Sequence, residues 1–359
     1  MKLSILIESY GHQQGGIAVK YCVWNNKGGV GKSFLTFCLS TEYALKNPDE
    51  IVVVADLCPQ ANSSEILLGG NGAGQDNQFR LFESGRTIAG YIKDRYTKSR
   101  FGMLGSEMSY FVQARDYNDN IPENLFLLSG DFELDLASTL IRRVESEPIK
   151  EAAERAMTML RDVLSAFEDS MKTKKVTFFI DCTPSFAAYT ELAVFASDRL
   201  IIPCTGDFAS LRGVKNVIET LYNPNSAKYK ESIFNLINFS EKAANLKLRL
   251  PVPYLGIINR ARTLDKKATV AYNAHVQEIK DYFDSLKHIK DRAGRNISQG
   301  TAVMDIMDSD NISLVVNYNG IPISKLEQKK YPVYDEFSQV NQSQVDPFLK
   351  NIYPVINFL

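Results

Sequence analysis

The sequence predicts an α/β fold, a mainly parallel central sheet flanked by helices. Three observations carry the prediction. Short β-branched runs alternate with segments of helical periodicity, the pattern of βαβ units. Ile51–Ala55 (IVVVA) and Val176–Ile180 (VTFFI) are apolar at almost every position, which suits strands covered on both faces. A glycine-rich turn joins the first apolar run to the first helical segment.

Taken in order, Ile17–Trp24 (IAVKYCVW) reads as the first strand and Asn25–Ser33 (NNKGGVGKS) as the turn. Phe34–Lys46 reads as a helix stopped near Asn47-Pro48, because the residue before a proline disfavours the α region. Ile51–Ala55 is the second strand, and residues 69–80 (GGNGAGQDNQFR) read as a turn-rich loop. Residues 84–120 carry mixed signals, and Leu125–Leu128 is a short strand. Pro148–Met171 is a helix, since Ala153, Met157, Leu160, Leu164 and Phe167 recur at helical spacing. Val176–Ile180, Arg199–Pro203 and Leu255–Ile258 complete the strands, and helical text with Pro- and Asn-rich turns follows from about 265. Three strands end before Asp56, Asp181 and Asn259, so these residues should converge where parallel sheets bind ligands, at the carboxyl ends of their strands. No linker divides the chain. Residues 1–359 are expected to form one domain, with a loop-rich insertion near 69–120 and a C-terminal extension from about 265.

The 359 residues are 45% hydrophobic and 23% charged, ordinary globular usage that excludes a disordered, collagen-like or coiled-coil chain. Lys+Arg 41 against Asp+Glu 42 leaves a net charge of −1, which excludes a globally basic nucleic-acid binder but not a local basic face. No apolar run is long enough for a transmembrane helix, and the opening MKLSILIESYGHQQ is a poor secretory signal. The five cysteines (Cys22, Cys38, Cys58, Cys182, Cys204) are odd in number and include no CxxC pair. A disulfide framework or thiolate zinc site is not expected, and the reducing cytoplasm is the simplest setting. Three scattered histidines give no metal site.

Gly28-Gly29-Val30-Gly31-Lys32-Ser33 follows a strand and opens a helix, the context of a phosphate-binding loop. Glycines let the backbone approach phosphates closely, and successive N–H groups at a helix N-terminus form an anion nest. Lys32 would reach the β- and γ-phosphates, and the Ser33 hydroxyl would ligand Mg²⁺. Asn26 stands at the first glycine position of the general GxxxxGK[ST] form.

The run KGGVGKS, Lys27 through Ser33, resembles the deviant Walker A loop of the ParA/MinD family of P-loop ATPases, closest to the ParA type. Asp56–Asn62 (DLCPQAN), Val176–Ser185 (VTFFIDCTPS), Asn124–Gly130 (NLFLLSG) and Ser210–Val214 (SLRGV) extend the likeness over about residues 17–265. The resemblance implies ATP and Mg²⁺ as cofactors. It implies that Lys27 reaches across a face-to-face homodimer to the partner's nucleotide, supplying positive charge during phosphoryl transfer as an arginine finger does. Lys27, Lys32 and Asp56 are then the expected catalytic residues. Lys27, Gly28, Gly29, Val30, Gly31, Lys32, Ser33, Phe34 and Asn259 would hold the nucleotide, and Ser33 and Asp181 the metal. Asn259 is similar to the Asn that reads the adenine edge in the family, with a turn-forming role as the alternative.

The sequence departs from that family at three points, of which the single Pro in Thr183-Pro184-Ser185, where the family often has two, implies no change of function. Cys58 stands where the family's DxDPQ segment has the water-positioning Asp, and a neutral thiol is a weak hydrogen-bond partner. Three remedies present themselves: Asp56 takes over, Cys58 ionises in a cationic site, or hydrolysis is slow by design. Phe34 replaces the Ser/Thr expected near the α-phosphate, which should weaken nucleotide binding modestly.

The expected function is ATP-dependent closure of a sandwich homodimer that binds DNA non-specifically and acts in plasmid or chromosome partition or cargo positioning. A partner protein would stimulate hydrolysis, and the protein would be cytoplasmic and nucleoid-associated. Candidate DNA contacts are Arg249, Arg260, Arg262, Lys266 and Lys267, and Lys287, Lys290, Arg292 and Arg295. Too little sequence precedes the loop for a DNA-reading helix-turn-helix. The alternative is a nucleotide-gated scaffold with little turnover, kept open by Cys58. A MinD-like membrane switch is disfavoured because Pro354 interrupts the tail FLKNIYPVINFL, which has one Lys. An iron–sulfur carrier lacks its paired cysteines, and a tyrosine autokinase lacks its clustered C-terminal tyrosines.

Overall fold

Fully apolar strand segments demand cover on both faces, and the chain supplies it. In the computed structural model, which describes residues 18–147, 150–171, 174–223, 239–261, 266–291, 294–309 and 311–359, two helical layers sandwich a sheet. The sequence readings at Ile17, Pro148, Arg262 and Arg292 lie outside these residues.

The strands are β1 (Val19–Val23), β2 (Ile51–Leu57), β3 (Phe111–Gln113), β4 (Leu125–Leu128), β5 (Val176–Cys182), β6 (Arg199–Cys204), β7 (Val252–Ala261) and β8 (Ala302–Met307). Among the described residues they form one sheet in the order β3-β4-β2-β5-β1-β6-β7-β8. Every pairing is parallel except β3 with β4 at one edge. A separate antiparallel hairpin joins β9 (Lys330–Val333) to β10 (Glu336–Gln339). The helices are α1 (Lys32–Lys46), α2 (Asn62–Leu67), α3 (Gly70–Glu83), α4 (Ile88–Ser99), α5 (Leu134–Glu145) and α6 (Lys150–Ser170), followed by α7 (Ala188–Ala196), α8 (Phe208–Tyr222), α9 (Phe239–Asn245), α10 (Lys266–Ser285), α11 (Ile312–Asn319) and α12 (Gln342–Phe358).

Strand alternation sorts side chains between two cores. Cys22, Val53, Ala55, Phe178 and Ile180 face the layer that holds Leu164 and Phe167 of α6 and Leu192 of α7. Tyr21, Val23, Val52, Val54 and Phe179 face α1 and α12. The helix α1 begins directly after Gly31, whose φ of 85° lies in the left-handed region. It ends at Asn47, as the following Pro48 requires.

Two expectations are corrected. Residues 70–83 fold as helix α3, not as a turn-rich loop. Its glycines serve packing: a Cβ on Gly74 would stand 2.1 Å from the Glu65 carbonyl oxygen, and one on Gly70 would stand 2.2 Å from that of Tyr318. Close approach of α2 and α11 therefore needs glycine inside a helix, and composition alone reads that as turn. Residues 84–120 likewise carry α4 and the edge strand β3.

The second correction concerns the C-terminal segment. Pro354 does not interrupt it, since α12 runs from Gln342 to Phe358 through Pro347 and Pro354. Each internal proline costs about 3 kcal/mol in lost hydrogen bonding and crowding. Burial of Val345, Phe348, Ile352, Val355 and Ile356 against the sheet offsets this. The start is fixed by a capping box between Asn341 and Gln344. At the other end the Tyr254 hydroxyl donates to the Phe358 carbonyl at 2.8 Å, and the Tyr21 hydroxyl donates to that of Leu359. The apolar face of this helix is therefore core.

Ile352 is fully buried in that core. Ile352→Ala should lower unfolding free energy by about 2–5 kcal/mol in urea denaturation, at nearly unchanged m-value.

Candidate functional site

The order of the sheet brings the sequence-flagged residues together. β5 lies between β1 and β2, so Asp181 is register partner to Val23 on one side and to Asp56 on the other. The turn after β1 therefore opens beside the carboxyl end of β5. Gly29 and Gly31 have φ of 73° and 85°. A Cβ on Gly28 or Gly29 would meet nothing within 4 Å, so the outer side of the loop is open.

A cleft of about 470 Å³ lies over this loop. Gly28, Gly29, Gly31, Lys32, Ser33 and Phe34 line one side; Cys58, Pro59, Gln60 and Asn62 line another. Asp135, Thr183, Pro184 and Tyr189 close it. Lys32 is 7% exposed, and its ammonium donates to the Lys27 carbonyl at 3.0 Å. Burial lowers its pKa, and the charge of Asp181 opposes the shift.

Asp181 is fully buried. Its Oδ2 accepts from the Ser63 hydroxyl at 2.5 Å, while Oδ1 has no hydrogen-bond partner among the described residues. Burial raises its pKa, and Ser33, Ser63 and Lys32 hold it down. A buried carboxylate oxygen left without a donor, close to a serine hydroxyl and a lysine, suits a hydrated divalent cation. Ser33 and Asp181 are the residues that would hold Mg²⁺, which would neutralise charge on β- and γ-phosphate oxygens.

Asp56 does not line the cleft. It is fully buried. Its Oδ2 accepts from the Ser64 N–H at 2.9 Å and hydroxyl at 2.8 Å, and its Oδ1 from the Cys58 N–H at 3.0 Å. It braces the loop after β2; Asp181, also absent from the cleft wall, differs in keeping one oxygen without a partner among the described residues. Burial, then the neighbouring Asp181, raises its pKa. Burial also pushes the Cys58 thiol up to about 12, with Asp56 and Asp181 adding to the shift. Both effects favour the neutral thiol over the thiolate.

Asn259 also meets the loop. Its Nδ2 donates to the Val30 carbonyl at 3.0 Å, and a Cβ on Gly31 would stand 2.3 Å from that nitrogen. The contact ties β7 to the loop. Phe34 lines the cleft and packs on Phe348 of α12 with ring centroids 6.1 Å apart. Lys27 points away from the loop. Its ammonium donates to Asp207 Oδ2 at 2.6 Å and Oδ1 at 2.8 Å, to Thr205 Oγ1 at 2.9 Å and to Ser210 Oγ at 3.0 Å. Burial alone would raise the Asp207 pKa; the bonds from Lys27, Thr205 and the Ser210 N–H hold it at about 2.

The family model described as an AAA domain (AAA_31) matches residues 19–233, more than half of the chain. The chain belongs to this family. It is a ParA-like P-loop protein. A "ParA family protein" of Mycoplasma genitalium is 26% identical over 255 residues, 69% of this chain and 79% of the relative. An uncharacterized protein of Methanocaldococcus jannaschii is 26% identical over 258 residues, 67% of this chain and 85% of the relative. Among solved structures, an McdA variant of Cyanothece in complex with ATP superposes with a TM-score of 0.55. It is 16% identical and covers 96% of this chain and 98% of its own, a likeness of fold.

Four residues of this ParA-like site escaped the sequence reading: Asp135, Tyr189, Asp207 and Ser63. Asp207 carried a signal, since Asp three residues before Ser210 is an N-cap pattern and its side chain caps α8. Asp135 and Tyr189 carried none, being ordinary helix residues that only the packing of α5 on α7 turns toward the cleft.

Of the candidate DNA contacts, Arg262 and Arg292 and the side chains of Arg260, Lys266 and Lys267 lie outside the described residues. Lys287 pairs with Asp284 at 2.8 Å and Arg295 with Asp291 at 2.8 Å, while Arg249 and Lys290 are exposed. Among the described residues, no helix is long and apolar enough to cross a membrane.

The raised carboxyl pair sets a pH dependence. A carboxyl whose folded pKa is raised contributes stability fully present below its unfolded value of ~3.9 and lost as pH rises through the folded value. Melting temperature without metal should therefore fall as pH rises from about 4 to about 8, between the ordinary carboxyl value and that of the buried Asp56. Mg²⁺ with nucleotide should shrink the fall by replacing the proton on Asp181, and Asp181→Asn should flatten it.

Proposed function

We propose that the protein is an ATPase that binds Mg·ATP on the Lys27–Ser33 loop, closes as a homodimer and hydrolyses ATP to ADP and phosphate. The observation that carries the reading is the buried Asp181 Oδ1, without a donor, set beside an open glycine loop that ends in Lys32 and Ser33. The family match and the ATP complex of the Cyanothece structure support the same ligand. Lys32 supplies positive charge to the phosphates, and the loop amides accept the remaining negative charge. In the single chain Lys27 is held by Asp207, Thr205 and Ser210, so its crossing to a partner's nucleotide requires exchange of those partners for phosphate oxygens. Closure and the γ-phosphate thereby switch the loops after β2 and β5.

The biological task proposed is partition or cargo positioning, through non-specific DNA binding by the dimer and a partner that stimulates hydrolysis. A second reading, an ATP-clamped scaffold with slow turnover, is favoured by one observation: Cys58 lines the cleft over the glycine loop, in surroundings that favour its neutral thiol.

Lys32→Ala should weaken Mg·ATP binding by at least about tenfold, a loss of ~1.4 kcal/mol in calorimetry. Lys27→Ala should retain that affinity yet remain monomeric in light scattering with saturating ATP. Binding of random duplex DNA by the wild-type dimer should weaken with a linear log–log dependence on salt. Full affinity in Lys32→Ala, or salt-independent DNA binding, contradicts the corresponding part of the proposal.

A further inference from the structure

We propose that Asp135 orients the attacking water, the task for which Cys58 is unsuited. The inference rests on the ATPase reading above and names a carboxylate that the family resemblance does not supply. Hydrolysis needs an acceptor that fixes a water in line with the γ-phosphorus. Cys58 is a weak acceptor. Asp56 has spent both oxygens on Ser64 and Cys58 and does not reach the cleft. Asp181 does not line the cleft either and is engaged with Ser63 and Ser33.

Among the described residues, Asp135 is the only carboxylate that lines the cleft containing both the glycine loop and Cys58. The Tyr189 hydroxyl donates to its Oδ1 at 3.0 Å. Burial pushes the Tyr189 pKa up to about 12, with Asp135 and Cys58 among the groups that add to the shift, so it stays a neutral donor. No described residue hydrogen-bonds to Asp135 Oδ2, which leaves that oxygen to accept from water. The two helices that carry the pair are locked together. Arg142 of α5 donates to Glu191 of α7 at 2.5 and 2.9 Å, and the Ala188 N–H donates to Ser138 Oγ at 3.1 Å. Asp135 is thus an exposed side chain on the cleft wall, held through one oxygen by Tyr189 on a braced pair of helices.

In the step so served, Asp135 Oδ2 accepts a hydrogen bond from the water. The water oxygen forms its bond to the γ-phosphorus as the bond to the bridging oxygen breaks, and that electron pair leaves with ADP. The water's proton passes to the released phosphate, and Asp135 ends unchanged. Net, ATP and water give ADP and dihydrogen phosphate, which then releases a proton to solvent near neutral pH.

The test uses the full chain as wild type, Asp135→Asn, Tyr189→Phe, Cys58→Asp and the Asp135→Asn/Cys58→Asp double variant. Calorimetry with Mg·AMP-PNP reads binding, single-turnover assays read hydrolysis, and release of a fluorescent ATP analogue reads the lifetime of the bound state. Asp135→Asn should keep AMP-PNP affinity within about twofold, slow hydrolysis by at least about tenfold and lengthen the bound lifetime in proportion. Tyr189→Phe should slow hydrolysis by about threefold, and Cys58→Asp should restore turnover to Asp135→Asn. Unchanged hydrolysis in Asp135→Asn, affinity falling in step with the rate, or no rescue by Cys58→Asp overturns the role. Wild type that binds Mg·AMP-PNP but hydrolyses no ATP removes the role while leaving the nucleotide site. Wild type that binds no Mg·AMP-PNP removes the parent reading itself.

Discussion

The position of β5 between β1 and β2 is the constraint on which the site depends. Parallel pairing aligns Val23, Asp181 and Asp56 across three neighbouring strands, so one end of the sheet receives the glycine loop, a buried carboxylate and the loop of Cys58 together. β2 is apolar up to Asp56, and β5, apart from Thr177, up to Asp181. The cost of burying Asp56 and Asp181 side by side is met in different ways. Asp56 accepts three hydrogen bonds and becomes a structural anchor. Asp181 keeps one oxygen without a donor, and its charge is met by Lys32.

The lysines divide similar labour. Lys32 is held inside by the Lys27 carbonyl, close to the carboxylates whose charge it balances. Lys27 is drawn outward by four hydrogen bonds to the cap of α8. A lysine so engaged is available only to a stronger anion, which makes its movement contingent on ligand and partner. The C-terminal helix contributes as well: Phe348 backs Phe34 at the cleft wall, so a segment that reads as an appendix in sequence supports the nucleotide side of the molecule.

Local chemistry explains what was legible. The KGGVGKS run, the buried strands and the helix after the loop are dictated within a few residues by glycine freedom, β-branching and periodicity, and all were readable. Gly70 and Gly74 were misread because their function is contact with distant backbone, which has no local signature. Pro354 was misread because local helix breaking was outweighed by burial of the face around it. Asn259 was recognised as a candidate site residue, but its partner, the Val30 carbonyl, is 229 residues away. Asp135 and Tyr189 were invisible for the same reason: they meet the loop only through helix packing.

The central claim is that the loop after β1 and the Asp181 carboxylate form one Mg·nucleotide cradle. Hydrogen–deuterium exchange of the full chain, with and without saturating Mg·AMP-PNP, tests it most directly. The account predicts slowed exchange at the amides of Lys27–Ser33 and around Asp181, dependent on Mg²⁺ and lost in Asp181→Asn. Protection confined to other parts of the chain, or none at these amides under saturation, would contradict it.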